Sequence, residues 1–319
     1  MKYQLFTYES ASGFGGAKTG IAVGHQLFDL SGVATRLDCG PLVDRSIDRL
    51  IEEWEESQEM LRHVATHAGD HGLDESWLLD AGHVRFRAPL SRPGVIYAAG
   101  ANYRDHVAAM ARAFGMNLML DPKAEGVTPW HFIKAGRGTL VGHREDVQFP
   151  ADTQKLDWEA ELAVVIGRHA SRVREADALD CVAGYTCAND LSARDKLVRP
   201  RIDPTSPFRF DWIGHKCFTG ACPLGPFLTP AEFVDSPEQL DIKLWLNDEL
   251  RQDSNTSNHL YGVAEQIAYL SSRLDLYPGD IVLTGTPAGV GMESGTFLER
   301  GDVMRVRIEG LGELETTIV

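Results

Sequence analysis

The run Asp157-Trp158-Glu159-Ala160-Glu161-Leu162-Ala163-Val164-Val165-Ile166-Gly167 constrains the fold more than any other segment of the chain. Successive side chains of a strand point to opposite faces, so Trp158, Ala160 and Leu162 share one face while Glu159 and Glu161 share the other. The two glutamates are then separated by roughly 6.5 to 7 Å at the backbone, close enough for their flexible ends to converge on one divalent cation. For an isolated Glu-x-Glu, a strand with one wet face is the commoner explanation, by roughly two to one. Here, however, Leu162 to Ile166 are apolar on both faces, the pattern of a strand buried within a sheet. Two unpaired carboxylates in a buried strand are costly, and a cation offsets that cost.

A third carboxylate is offered by Asp190 in Tyr185-Thr186-Cys187-Ala188-Asn189-Asp190-Leu191-Ser192-Ala193-Arg194-Asp195. The same residue is also placed to cap a short helix beginning at Leu191. Three carboxylates from two segments, with no Cys and His cluster, suit one hard cation, Mg²⁺ or Mn²⁺, that keeps open positions for substrate oxygens. The segment Ser12 to Thr19 imitates a phosphate-binding loop ending in Lys-Thr. Ser12 and Ala17 stand where glycines are required, and the segment lies between strands instead of opening a helix, so a surface loop is expected.

Composition narrows the function classes. The 46 acidic residues against 31 basic ones leave a net charge of −15, and no basic patch is segregated, which argues against nucleic acid as a partner. The longest apolar stretches are strand-sized, far short of the roughly 20 residues a bilayer requires, and the first residues do not read as a signal peptide. No membrane association is expected, and a reducing cytoplasm is the expected compartment. The five cysteines show no Cys-x-x-Cys pair, so no disulfide framework is expected.

Strands are expected at 3–8, 20–23 and 26–30, the last two joined by a two-residue turn at Gly24-His25, and then at 83–90. Between them, the spacing of Ile47, Leu50, Ile51, Trp54, Leu61 and Val64 predicts a helix from Val43 that ends by His71-Gly72. Arg92-Pro93-Gly94 marks a boundary between a small N-terminal α+β domain, 1–91, and a main domain, 92–319. Further strands are expected at 95–99, 131–134, 159–166, 242–247, 281–284 and 304–308. Helices are expected over 104–114, stopped by Gly115, and 258–273. Strands and helices do not alternate, so the architecture is expected to be mainly β (α+β) with mixed sheets.

With these residues in view, the chain resembles the fumarylacetoacetate hydrolase family over nearly all of residues 92 to 300. The blocks that carry the resemblance are Gly100-Ala101-Asn102-Tyr103-Arg104-Asp105-His106; Phe132-Ile133-Lys134; Asp157 to Glu161; Gly184-Tyr185 through Asp195; Lys216-Cys217-Phe218 with Gly225-Pro226; Asn255-Thr256; and Pro278-Gly279-Asp280 followed by Thr284 to Gly291. The first 90 residues match only loosely. The resemblance implies a roll of mixed β-sheets around a metal site, in a homodimer, with carbon-carbon bond cleavage or decarboxylation as the chemistry. It implies Glu159, Glu161 and Asp190 as ligands of one divalent cation, His106 as the general base on a lid, and Lys134 beside the metal. Arg194, Lys216 and Thr286 fall where members of the family bind the carboxylate or oxo oxygens of a substrate.

Two positions depart from the family pattern. Many hydrolytic members carry a Glu three residues after the lid histidine, and here that position is Ala109; Glu125 or Asp121 is the expected substitute. Some carry a substrate-binding Gln three residues after the motif arginine, and here it is Leu197. Asp195 is expected to orient Arg194 by a salt bridge. Arg199, Arg201, Arg209 and Trp212 suggest a bulky or doubly anionic substrate. The leading expectation is a metal-dependent hydrolase or lyase cleaving a 2-oxo or 1,3-diketo acid of acylpyruvate or fumarylpyruvate type, in aromatic or sugar-acid catabolism, its substrate a small anionic 2-oxo acid. The missing acid gives weight to a decarboxylase or isomerase of oxaloacetate or a 2-oxo-ene-dioate. A catalytically silent relative that binds metal or ligand is the third expectation.

Overall fold

A computed structural model describes residues 1–10, 16–69, 77–115 and 118–319. The strand Ala160–Ile166 is buried along its whole length, as its two apolar faces require. It runs antiparallel to Val182–Asn189 on one side and to Ile281–Leu283 on the other. Beyond Ile281–Leu283 lie the parallel strand Ile96–Ala99 and then His131–Lys134. On the opposite side, Val182–Asn189 pairs with Cys222–Pro230. The N-terminal strand Gln4–Ser10 joins Cys222–Pro230 with Leu5 opposite Leu228, so the segment before residue 91 extends the same sheet.

The period-2 alternation of the central strand distributes its side chains between two cores. Ala163 and Val165 pack with Leu50, Ile51, Trp54 and Leu61 from the N-terminal helices. Leu162, Val164 and Ile166 pack with Leu244, Val306 and Leu314. Those three residues belong to a second, five-stranded sheet of Asp146–Val147, Asp241–Leu246, Glu249–Asn255, Val303–Ile308 and Gly312–Ile318. The architecture is mainly β with mixed sheets. Among the described residues no helix is long and apolar enough to cross a membrane, and the five cysteines are free.

Local signals account for most element boundaries. Gly24 turns the hairpin between Lys18–Val23 and Gln26–Asp29 at φ 61°. The helix Arg104–Phe114 stops at Gly115 in the left-handed conformation, which a residue without Cβ adopts freely. The single helix expected from Val43 is instead two, Ile47–Glu52 and Trp54–Gly69, with Ser46 capping the first. The break at Glu53 lets both apolar stripes face one core. The expected end at His71-Gly72 lies outside the described residues, as does part of the Ser12 to Thr19 loop. The helix expected from Asn258 begins only at Val263, because Leu260 and Tyr261 donate their backbone N–H groups to Asn102. Cys222–Pro230 and Glu249–Asn255 carry no alternating apolar pattern and were not expected as strands.

Two histidines are held in neutral form by their surroundings. The Nδ1 of His143 accepts a hydrogen bond from the Glu315 backbone N–H at 3.1 Å, and burial, helped by Arg144, pushes its pKa down from 6.5 to about 4. Burial does the same to His131, again to about 4. A base whose folded pKa is depressed stabilises the fold above its ordinary pKa, and that contribution is lost as protons bind the unfolded chain more readily. Thermal stability is therefore expected to fall as the pH drops from about 6.5 toward 4. The His143→Asn variant, which keeps an acceptor and cannot titrate, is expected to show a shallower fall of Tm across that window. An unchanged slope would contradict the assignment.

Candidate active site

The acidic centre is built across one strand pair. Ala160 lies opposite Asn189, and the Asp190 N–H donates to the Glu159 carbonyl at 2.8 Å while the Asn189 side chain accepts from the Glu159 N–H at 2.9 Å. This register brings Glu159, Glu161 and Asp190 together, all buried, with carboxylate oxygens within 4.8 Å of one another. Asp190 thus closes a strand instead of capping a helix, and Ser192–Ala193 continues as a short strand paired with Leu156–Asp157.

The surrounding charges are organised around these groups. Arg194 donates to Asp157 at 2.8 Å and to Glu159 at 2.6 Å. Lys216 donates to Glu159 and to Asp190, both at 2.6 Å. Lys134, fully buried, pairs with Asp190 and donates to the Lys216 carbonyl at 2.6 Å. Burial opposes ionisation of Glu159, but Lys216 and Arg194 outweigh it and hold its carboxyl well below the usual range. Glu161 differs. It accepts the Gly285 N–H at 2.7 Å, and burial followed by the charges of Asp190 and Glu159 pushes its carboxyl well above the usual range. Four clustered carboxylates, Asp157, Glu159, Glu161 and Asp190, thus face three cations, and Glu161 is the one with no cation bonded to it. Three converging hard oxygen donors with a deficit of positive charge fit one divalent cation of the Mg²⁺ or Mn²⁺ kind.

Asp195 does not orient Arg194. Its carboxylate accepts from the Thr153 hydroxyl and the Gln154 N–H, and Asp157 takes the arginine. Neighbouring residues on the Arg194–Leu197 helical turn project in different directions, so Arg194 turns inward and Asp195 outward. Nor do Arg199, Arg201 and Arg209 line the site cavity. Arg199 pairs with Asp211 at 2.7 Å, and only Trp212 of that expected group reaches the wall.

His106 sits on Arg104–Phe114 and borders the cavity, with its Nδ1 2.7 Å from a carboxylate. That carboxylate belongs to neither Glu125, which is exposed, nor Asp121, which accepts the Ala124 N–H. It is Glu293, from the Gly291–Ser294 turn, whose second oxygen accepts the Gly289 N–H at 2.8 Å. The Gly291 and Met292 N–H groups of that turn donate to Asp157 at 2.6 and 3.0 Å, so Asp157, two residues before Glu159, fixes the turn that carries the acid. Sequence patterns did not single out Glu293, because 187 residues separate it from the histidine. The usable signal was a glutamate just past the Thr284 to Gly291 block in a chain with Ala109 on its lid.

Thr286 borders the same cavity and is positioned by a second residue the patterns passed over. Gln252, fully buried, donates to the Thr286 hydroxyl oxygen at 2.9 Å and to the Pro287 carbonyl at 2.8 Å, and accepts the Ala160 N–H at 3.0 Å. Because Thr286 accepts from Gln252, its own O–H remains free to donate elsewhere. Glu159, Glu161, Arg194, Lys216, His106 and Thr286 all line one cavity of about 250 Å³.

Residues 95–319 match the family model described as fumarylacetoacetate (FAA) hydrolase C-terminal. A mitochondrial oxaloacetate tautomerase of Xenopus laevis is 34% identical over 278 residues, covering 86% of this chain and 80% of its own length. Among solved structures, a fumarylacetoacetate hydrolase from Exiguobacterium antarcticum superposes with a TM-score of 0.75 at 28% identity, covering 99% of both chains. The maleylpyruvate hydrolase of Sphingobium sp. SYK-6, in complex with manganese(II) and pyruvate, gives a TM-score of 0.71 at 28% identity, covering 99% of this chain and 98% of the other. With a matching family model over its main sheet and site and curated relatives along most of its length, the chain belongs to the fumarylacetoacetate hydrolase family.

Proposed function

We propose that the protein is a divalent-cation-dependent enzyme that interconverts the keto and enol forms of a 2-oxo acid, with oxaloacetate as the reference substrate. The observation that carries this reading is the His106 and Glu293 pair bordering the cavity of the three-carboxylate centre. The oxaloacetate tautomerase relatives support the same class. A cation held by Glu159, Glu161 and Asp190 supplies a Lewis acid that draws electron density from the 2-oxo group and eases loss of the neighbouring proton.

The chain's own residues account for the proton movements. Glu293 occupies Nδ1 of His106, which leaves Nε2 to take a proton from the carbon beside the carbonyl, and the carboxylate stabilises the imidazolium that forms. The same histidine returns the proton, so only C–H and O–H bonds change. The Thr286 hydroxyl donates to an anionic oxygen of the substrate. Arg194 and Lys216 keep Glu159 ionised, and Lys134 and Lys216 pair with Asp190.

Hydrolysis of an acylpyruvate stays as the second reading, because the acid that Ala109 lacks is supplied by Glu293, and a His-Glu pair also activates water. The expectation of a silent relative rested on Ala109, and the contact of Glu293 with His106 supports an enzyme instead. A homodimer is the proposed assembly, supported by the exposed apolar side chains Ile133, Phe208, Phe210 and Ile213.

With Mn²⁺ or Mg²⁺ present, the protein is expected to accelerate enol-to-keto conversion of oxaloacetate without releasing carbon dioxide, and to lose that activity in EDTA. No acceleration with either metal would overturn the reading, and cleavage of acetylpyruvate with uptake of solvent oxygen would favour hydrolysis instead. The Glu293→Gln variant is expected to lower kcat by about 10² to 10³-fold, the lower part of the range of general acid-base assistance, with Mn²⁺ affinity unchanged. Adding Ala109→Glu to that variant is expected to recover part of the loss. A wild-type kcat in Glu293→Gln would remove the dyad from the mechanism.

A further inference from the structure

Among the cavity's lining, the large apolar side chains Met110, Trp130, Phe132, Leu197, Trp212 and Met292 play no part in the proton chemistry. Its three rings are fixed against one another. Trp212 lies 5.3 Å from Phe132 in a stacked arrangement and 5.2 Å from Trp130 at a tilt of 54°. Trp130 is half exposed, yet its place is built into the backbone: a Cβ on Gly100 would meet the Trp130 ring at 2.0 Å, so the ring lies where only glycine admits it. A large, half-exposed aromatic surface held in one position is what an apolar ligand group covers most favourably.

Charge is distributed the opposite way. Arg194 and Lys216 are the Lys and Arg residues lining the cavity among the described residues, and both are engaged by Asp157, Glu159 and Asp190. His215 spends its Nδ1 on the Ala193 carbonyl at 3.0 Å. At Leu197 the wall is a hydrocarbon. The Lys216 ammonium stands 5.2 Å over the Phe132 ring, but Glu159 and Asp190 already hold it at 2.6 Å, so a carboxylate pressed against these rings would lose its hydration with no uncommitted cation to replace it. A flat uncharged group would lose nothing and bury its own apolar surface.

We propose that the preferred substrate carries an aryl or comparably flat, uncharged group next to its 2-oxo acid head, seated against Trp130, Phe132 and Trp212, in place of a second carboxylate. This rests on the tautomerase reading for the head group and narrows the tail. The notion of a doubly anionic substrate, drawn from Arg199, Arg201 and Arg209, is replaced by it, since none of those side chains lines the cavity.

Phenylpyruvate and oxaloacetate share the head and differ in the tail. In the Mn²⁺-loaded protein, kcat/KM for keto-enol interconversion is expected to favour phenylpyruvate by about tenfold or more, the scale of one stacked ring. The Trp130→Ala substitution is expected to bring that ratio toward unity through KM, and Leu197→Arg to move it toward oxaloacetate. A wild-type ratio below one, or a ratio that neither substitution changes, would overturn the proposal. Calorimetric binding of the two acids to the Mn²⁺-loaded protein separates this from the tautomerase reading. If neither is turned over, that reading fails, while tighter binding of phenylpyruvate still upholds the tail assignment and equal or weaker binding overturns it.

Discussion

Mutual repulsion among buried carboxylates is the constraint on which the site depends. Glu159, Glu161 and Asp190 are fixed by strand register, so they cannot move apart to relieve it. Each neighbouring element answers to that charge. The helical turn Arg194–Leu197 contributes a guanidinium, Trp212–Lys216 ends on an ammonium, and the edge strand His131–Lys134 buries a second ammonium beneath Asp190. Burying three cations and four carboxylates together is rarely a net gain in stability compared with apolar packing. The arrangement is better understood as positioning, with a remaining deficit of positive charge centred on Glu161 that suits a divalent cation.

The second requirement is rigidity around that centre. Asp157 accepts the N–H groups of the turn bearing Glu293, and Gln252 joins the Ala160 backbone to the Thr286 hydroxyl. The proposed base and the proposed substrate donor are therefore both referenced to the segment 157–161, which carries two of the carboxylates. Asn102 anchors the start of the helix that holds His106, donating to the Tyr261 and Thr284 carbonyls at 2.9 and 2.8 Å. Catalytic groups held this way need little reorganisation when charge develops on a substrate.

What could be read from the residues alone follows from the range of the interactions. The central strand, the Gly24 turn and the ends of the Arg104–Phe114 helix are set by local patterns, and they lie where those patterns put them. The carboxylate trio was legible because two members are two residues apart and the third sits in a recognisable block. Glu293 and Gln252 were not, since each acts on a partner far away in the chain and neither stands out in composition or period. Arg194 was paired with the wrong aspartate for a related reason. Adjacency in sequence suggested Asp195, while the fold delivers Asp157 from another strand. Cys222–Pro230 is a central strand despite its prolines and glycine, because its neighbours on both sides, and not its own pattern, hold it there.

The account stands on one cation bound by three carboxylates, and Mn²⁺ provides the direct measurement. Crystals grown with Mn²⁺ and oxalate are expected to show a single strong anomalous peak bonded to oxygens of Glu159, Glu161 and Asp190, with oxalate completing its coordination. Calorimetry on the same protein is expected to give one site per chain, lost in the Glu161→Gln variant while the fold persists. Manganese bound elsewhere, or bound equally well by Glu161→Gln, would contradict the central claim.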